Sequence, residues 1–194
     1  MDITQKIKEH IVNGELPRGV PLRQAELSVR YGVSRIPIRD ALLSLRAEGW
    51  LAPHGKAGLM IPALNWKEAE DLCLMRAELE CLLFEMAFDN IQEENVKEAR
   101  GFLIDLDHEN LTLVGRGELN WQFHNALYQA ANRPTLQRVV EGLNKQAVRY
   151  LGFQYGPLLR LIESKNKQAA LNHLRQHIEQ AGKLLSEYLK EISY

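Results

Sequence analysis

Arg35, Arg39 and Arg46 stand at spacings of four and seven, which puts three guanidinium groups on one face of a helix. Such a face can grip phosphates or make paired hydrogen bonds to a guanine edge. Ser34 precedes the three as a candidate helix N-cap, and Pro37 falls in the first turn, where its missing N–H costs little. The free N–H groups of that turn can hold an anion. Downstream, His54-Gly55-Lys56-Ala57-Gly58 joins two glycines to two basic or protonatable side chains, a loop whose backbone can approach a narrow, electronegative groove. A second constellation lies further along. Asn120 and His124 are one helical turn apart, as are His173 and His177, and both pairs flank apolar stripes. Facing a bundle interior, they could ligate a metal or a small molecule. They could equally be packing residues satisfied by hydrogen bonds.

The arginines need a helix-turn-helix to present them. Ile3, Ile7 and Ile11 mark a first helix capped by Asp2 and ended by Gly14 and Pro17. A second fits Arg23 to Tyr31, closed by Gly32, with Arg23 counted among the candidate DNA contacts. In the third, Ile38, Ala41, Leu42 and Leu45 form the buried stripe, leaving the three arginines outward. Trp50-Leu51-Ala52-Pro53 and Leu59-Met60-Ile61-Pro62 then read as two short strands of a hairpin wing.

The histidines need a bundle. After a linker at Pro62-Ala63-Leu64, Asn65 and Glu68 make a capping pair, and Leu72, Met75, Leu79, Leu82, Leu83 and Met86 mark a helix. Further helices are expected from about Glu93 to Glu109, Glu118 to Ala131, Pro134 towards Phe153, and Pro157 to Ser164. A last one carries the stripe Ala170, Leu174, Ile178, Ala181, Leu185, Tyr188 and Ile192. The expected fold is mostly α: an N-terminal winged helix-turn-helix with a small β-hairpin wing over residues 1–64, and a C-terminal all-α bundle of about six helices over 65–194.

Composition agrees with two partners. Residues 1–65 carry nine Lys/Arg against six Asp/Glu, and the remaining 129 carry fifteen against nineteen, so a basic head precedes an acidic body. Apolar runs are too short to span a bilayer, and the N-terminus lacks the apolar stretch of a signal peptide. Cys73 and Cys81 lie in one helical pattern, cannot bridge within it, and read as reduced thiols of a cytoplasmic protein.

The segments Ile11-Val-Asn-Gly-Glu-Leu-Pro-Arg-Gly, Val33-Ser-Arg-Ile-Pro-Ile-Arg-Asp-Ala-Leu and Leu45-Arg-Ala-Glu-Gly-Trp-Leu resemble the winged-helix domain of GntR-family transcription regulators, and the wing resembles that of the FadR-like branch. The resemblance implies a recognition helix in the major groove of operator DNA and a wing tip in the minor groove. Asn120-Trp-Gln-Phe-His124-Asn-Ala-Leu-Tyr-Gln-Ala-Ala-Asn132, with Arg76-Ala-Glu-Leu-Glu80, Asn166-Lys-Gln-Ala-Ala and His177, resembles the FCD effector domain of that branch. Many such domains bind a divalent metal through one aspartate and three histidines. His124 and His177 stand at two of those places, Asn120 replaces the aspartate, and Tyr155 aligns with the middle histidine. One zinc-, nickel- or manganese-class ion per subunit is the metal so implied, although an amide oxygen and a phenol are weak ligands.

Without metal, Arg76 is the candidate to hold an effector carboxylate through its planar fork, Arg149 a second, and both have the alternatives of solvent exposure or a structural ion pair. The expected protein is thus a homodimeric, cytoplasmic regulator whose affinity for double-stranded operator DNA is set by an organic acid. The alternative is a small metal-dependent hydrolase built on His124 and His177.

Overall fold

The structure is a computed structural model that describes residues 2–55, 58–108, 111–147 and 157–192. The chain divides into two compact units, Met1–Leu64 and Asn65–Tyr194.

The first unit runs α1 (Ile3–Val12), β1 (Pro21–Leu22), α2 (Gln24–Tyr31), α3 (Arg35–Ala47), β2 (Ala52–His54) and β3 (Gly58–Met60). Its core is the stripe read from sequence: Ile7 and Ile11 of α1 and Ile38, Ala41, Leu42 and Leu45 of α3 are buried, with Trp50 beside them. Gly32 takes φ 66°, a left-handed conformation that glycine reaches without a Cβ penalty. It ends α2, and α3 starts three residues later, which is the tight turn a helix-turn-helix requires. The wing has three antiparallel strands in the order β1-β3-β2, where a two-stranded hairpin was expected. Met60 faces Pro21 on one side and Ala52 on the other. Only two residues long and opening on a proline, β1 has no alternation to read; its proline is tolerated because β1 is an edge strand.

The second unit contains α4 (Trp66–Phe88), α5 (Glu93–Leu106), α6 (Leu113–Tyr128), a short 3-10 turn (Gln129–Ala131), α7 (Pro134–Ala147), α8 (Pro157–Glu163) and α9 (Lys167–Ile192). Asn65 caps α4 by accepting from the Lys67 N–H at 2.9 Å. The helix expected from Glu118 begins five residues earlier, because Thr112 caps it through the Gly115 N–H and two glycines obscure the first turn. Ala77, Leu83 and Phe84 of α4, Phe123, Leu127 and Tyr128 of α6, and Ala170, Leu174 and Ile178 of α9 share one core.

The α4 stripe is not the one expected. Met75, Leu82 and Met86 are exposed, and the inward face carries the charged Arg76 and Glu80 instead. Along α9 the approach to α4 is tight: a Cβ on Gly182 would lie 2.5 Å from the Cβ of Cys73. Among the described residues, no helix is long and apolar enough to cross a membrane.

Candidate functional site

In the first unit, α3 presents Arg35, Arg39 and Arg46 to solvent. Arg39 is drawn towards the adjacent Asp40 at 3.2 Å, an exposed pair that competing phosphates can break at little cost. Ser34 occupies the N-cap of α3 with an extended backbone, yet its hydroxyl makes no capping bond, so the first turn's N–H groups are not closed by it. Pro37 sits in that turn, half-buried, as expected. Arg23 is the N-cap of α2 and forms an exposed pair with Glu26 at 3.6 Å.

Gly55 turns the wing with φ 60°, and any side chain at Gly58 would meet the His54 carbonyl oxygen at 2.8 Å. His54 is half-buried with Nδ1 3.3 Å from the Met60 sulfur, so its ring lies along the wing. Lys56 lies outside the described residues. A groove of about 300 Å³ runs between α3 and the wing, lined by Arg39, Arg46, Gly55 and Gly58 together with Gln24 and Leu43. The fold thus brings the two elements singled out for phosphate and groove contact to the edges of one cleft. Gln24 and the exposed Leu43 were missed, since neither belongs to a charge pattern.

In the second unit, Arg76 and Glu80 are buried on α4 and paired, Arg76 Nε donating to Glu80 Oε1 at 2.8 Å. Asn144 of α7 donates to the same oxygen at 3.0 Å, and the Tyr128 hydroxyl of α6 donates to Oε2 at 2.8 Å. Three helices therefore meet on one carboxylate. Burial alone would raise the Glu80 carboxyl, but Arg76 and these donors hold it below the usual carboxylate range. Burial likewise opposes the Arg76 charge, and the Glu80 carboxylate more than offsets it. Arg76, expected to hold an effector carboxylate, is thus engaged by a carboxylate of its own chain, the ion-pair alternative. Glu80 and Asn144 were given no role in the sequence. The helical spacing of Arg76 and Glu80 was the available signal for one of them.

Next to this network Asn120 and His124 are 2% and 3% exposed, and the His124 ring stacks on Tyr128 at 5.8 Å. Burial pushes the His124 imidazole down to about 4, against the pull of Glu80 and with help from His177 and Arg76. His177 on α9 is lowered for the same first reason, then by Arg76 and by the half-buried His173. Both rings are therefore neutral at pH 7. Asn120 Oδ1 is buried and accepts no hydrogen bond among the described residues, a condition that costs about 1–3 kcal/mol unless a bound donor relieves it. His124 Nδ1 and His177 Nε2 are also shielded from solvent. Arg149 and Tyr155 lie outside the described residues.

Among the described residues the donor set does not suit a divalent ion. Among the described residues no three His, Cys, Asp or Glu side chains converge to hold one. The anion beside the histidines, Glu80, has both oxygens committed to Arg76, Asn144 and Tyr128. Neutral amide and imidazole donors beside a guanidinium offer a dication little compensation.

Residues 1–61 match the family model described as bacterial regulatory proteins, gntR family, and residues 71–180 match the FCD domain. The chain belongs to the GntR family of regulators carrying an FCD domain. Members of this family are transcription regulators and not enzymes, which leaves the hydrolase alternative without support.

The chain is 25% identical to the HTH-type transcriptional regulator YdhC of Bacillus subtilis, covering 96% of this chain and 90% of that one. It is 22% identical to the HTH-type transcriptional repressor RspR of Escherichia coli over 96% and 89%. A GntR-family regulator from Pseudomonas syringae superposes with a TM-score of 0.58 at 28% identity, over 97% of this chain and 86% of the other. Escherichia coli McbR/YncC shares the fold with a TM-score of 0.69 at 21% identity, over 96% of each chain. A winged helix-turn-helix followed by a helical domain is therefore the family's architecture as well as this chain's.

Proposed function

We propose that this GntR-family regulator binds operator DNA as a homodimer in the cytoplasm, with α3 in the major groove and the wing tip at the adjacent minor groove, and that a small molecule in the helical unit sets that affinity. The observation that carries the DNA half is the cleft where Arg39 and Arg46 face Gly55 and Gly58. A helix N-terminus with open N–H groups, flanked by Arg35 and Arg39, supplies phosphate and base-edge contacts on one side. A glycine turn that tolerates close backbone approach supplies the other. Arg23, Ser34, Pro37, His54 and Lys56 complete the proposed surface.

The effector half is supported by the Asn120 oxygen, which accepts no hydrogen bond among the described residues and sits one helical turn from the buried His124. The Arg76–Glu80 pair weighs against an organic acid held by that guanidinium, whose charge is already matched. A ligand seated against α6 and α9 would bias one of two arrangements of the helical unit, which is how an effector moves a DNA-binding equilibrium.

The test is operator affinity of the full-length Arg35→Ala, Arg39→Ala double variant, read by fluorescence anisotropy. Loss of a paired base contact and a phosphate contact should weaken binding by ten- to a hundredfold, corresponding to about 1–3 kcal/mol, with oligomeric mass unchanged. Wild-type affinity in the double variant would remove α3 as the recognition helix.

A further inference from the structure

We propose that the end of the helical unit where α4, α5, α8 and α9 meet holds a binding site for an amphipathic monoanion, a free organic acid with one carboxylate on an apolar body. The described lining of this site includes none of Asn120, His124 and His177, so it neither needs nor excludes an effector there.

A cavity of about 920 Å³ opens at this end, within the range of roughly 300–1,000 Å³ that small-molecule sites occupy. Its floor is the edge of the helical core. Ile162 is buried in that core, and the half-buried Phe88, Ile91 and Val96 pack against it. Apolar surface is thus left facing water, and covering it favours a ligand with an apolar body.

The rim supplies the charge. Two ion pairs join helices around it: Arg100 of α5 with Glu163 of α8, and Lys167 of α9 with Asp89 at the end of α4, at 2.8 Å. Those four charges cancel. Lys97 and Lys165 are exposed on the same rim and pair with no carboxylate among the described residues, and Glu93 there pairs with no cation. Two against one leaves a single positive charge. Glu93 opens α5, where the helix dipole already balances it, so both ammonium groups are free to donate to an incoming carboxylate.

Lys165 adds an observation independent of charge. Beyond α8 the Lys165 N–H donates to the Ile162 carbonyl at 2.8 Å and the Asn166 N–H to the Leu161 carbonyl at 3.1 Å. That pair of bonds puts Lys165 at the position glycine usually fills after a helix. Its φ is 53°, in the left-handed region that a Cβ disfavours. A glycine would close the same turn without strain, yet a cation stands there, on the cavity's edge. Strained residues of this kind gather at ligand clamps.

Isoleucine δ1-methyl NMR on the full-length protein tests the site with 2-naphthoate, 4-phenylbutyrate, their uncharged alcohols 2-naphthylmethanol and 4-phenylbutanol, and acetate, each added alone. At least one of the two apolar acids should shift the Ile91 and Ile162 methyl signals saturably, its alcohol should bind about tenfold more weakly, and acetate should leave both signals in place. Silence at both methyls with both acids, equal affinity for acid and alcohol, or the same shifts with acetate would each overturn the proposal. The Lys97→Gln, Lys165→Gln double variant should bind the acid about tenfold more weakly or worse, and wild-type affinity in it also overturns the site. Lys165→Gly separates a ligand residue from a lysine merely tolerated at a helix end. It relieves the left-handed backbone, so its melting temperature should rise while its affinity for the acid falls. A variant that melts higher and binds the acid as tightly as the wild-type chain would remove the site.

Discussion

A guanidinium that is only 3% exposed needs a counter-charge, and Glu80 supplies it from one turn away while collecting donors from α6 and α7. Glu80→Gln keeps the shape and removes the charge, leaving Arg76 buried without its partner. Breaking a buried pair in this way costs about 3–5 kcal/mol, and urea unfolding should show a clearly lower midpoint. An unchanged midpoint would mean that Arg76 has another counter-ion. His124 adds a pH dependence of opposite origin. Its folded pKa of about 4 lies below the ordinary 6.5, so the unfolded chain binds the proton more readily. Stability is therefore full above pH 6.5 and falls as pH drops from there towards 4, by an amount on the order of 3 kcal/mol. The Glu80 contribution is lost lower still, as pH falls below the usual carboxylate range. His124→Asn should flatten the upper part of the curve and leave the lower part. The Arg76–Glu80 spacing was readable in the sequence, as was the buried side of His124. Tyr128 and Asn144, 48 and 64 residues from Glu80, were not, because pairing at that separation depends on how helices cross.

Glycines show what periodicity conveys about an element and what it omits. The α9 stripe at three- and four-residue spacing gave the inward face correctly for Ala170, Leu174 and Ile178. It said nothing of the distance to α4, which is set where Gly182 meets Cys73. Gly182→Ala would place a Cβ 2.5 Å from the Cys73 Cβ and 2.7 Å from its sulfur, forcing the two helices apart. Overpacking of that kind costs about 1–3 kcal/mol. Gly142 in α7 has nothing within 4 Å of the same added atom, so Gly142→Ala gains helix propensity and should stabilise by about 0.5–1 kcal/mol. Thermal melts of the two variants should move in opposite directions. The same shift from both would show that α4 and α9 do not pack as closely as described. Element boundaries failed where local signals were weak: α6 began early behind two glycines, and β1 was too short to alternate. In α4, six apolar residues at plausible spacing concealed that half of them, Met75, Leu82 and Met86, face outward. A helix this apolar has more than one face that reads as core.

At the scale of the molecule, the charge arrangement bears on how many heads must engage an operator. The first 65 residues carry a net charge of +3 and the rest −4, so the body gains nothing from a polyanion and a single head gains little. Two heads on one operator would multiply the small electrostatic term, and counting released counterions tests this directly. Each neutralised phosphate contributes about 0.9 to the slope of log affinity against log salt. Arg46 is exposed at the cleft between α3 and the wing, where a phosphate contact is expected. If two copies engage the operator, Arg46→Ala deletes that contact twice, and the slope should become shallower by about 1.8. A single engaged head predicts a change of about 0.9, whatever the oligomeric state in solution. No change would place Arg46 away from phosphate and shift the backbone contacts towards Arg35 and Arg39. The slope thus reports the number of heads on the DNA, which neither a mass measurement nor a bare affinity can give.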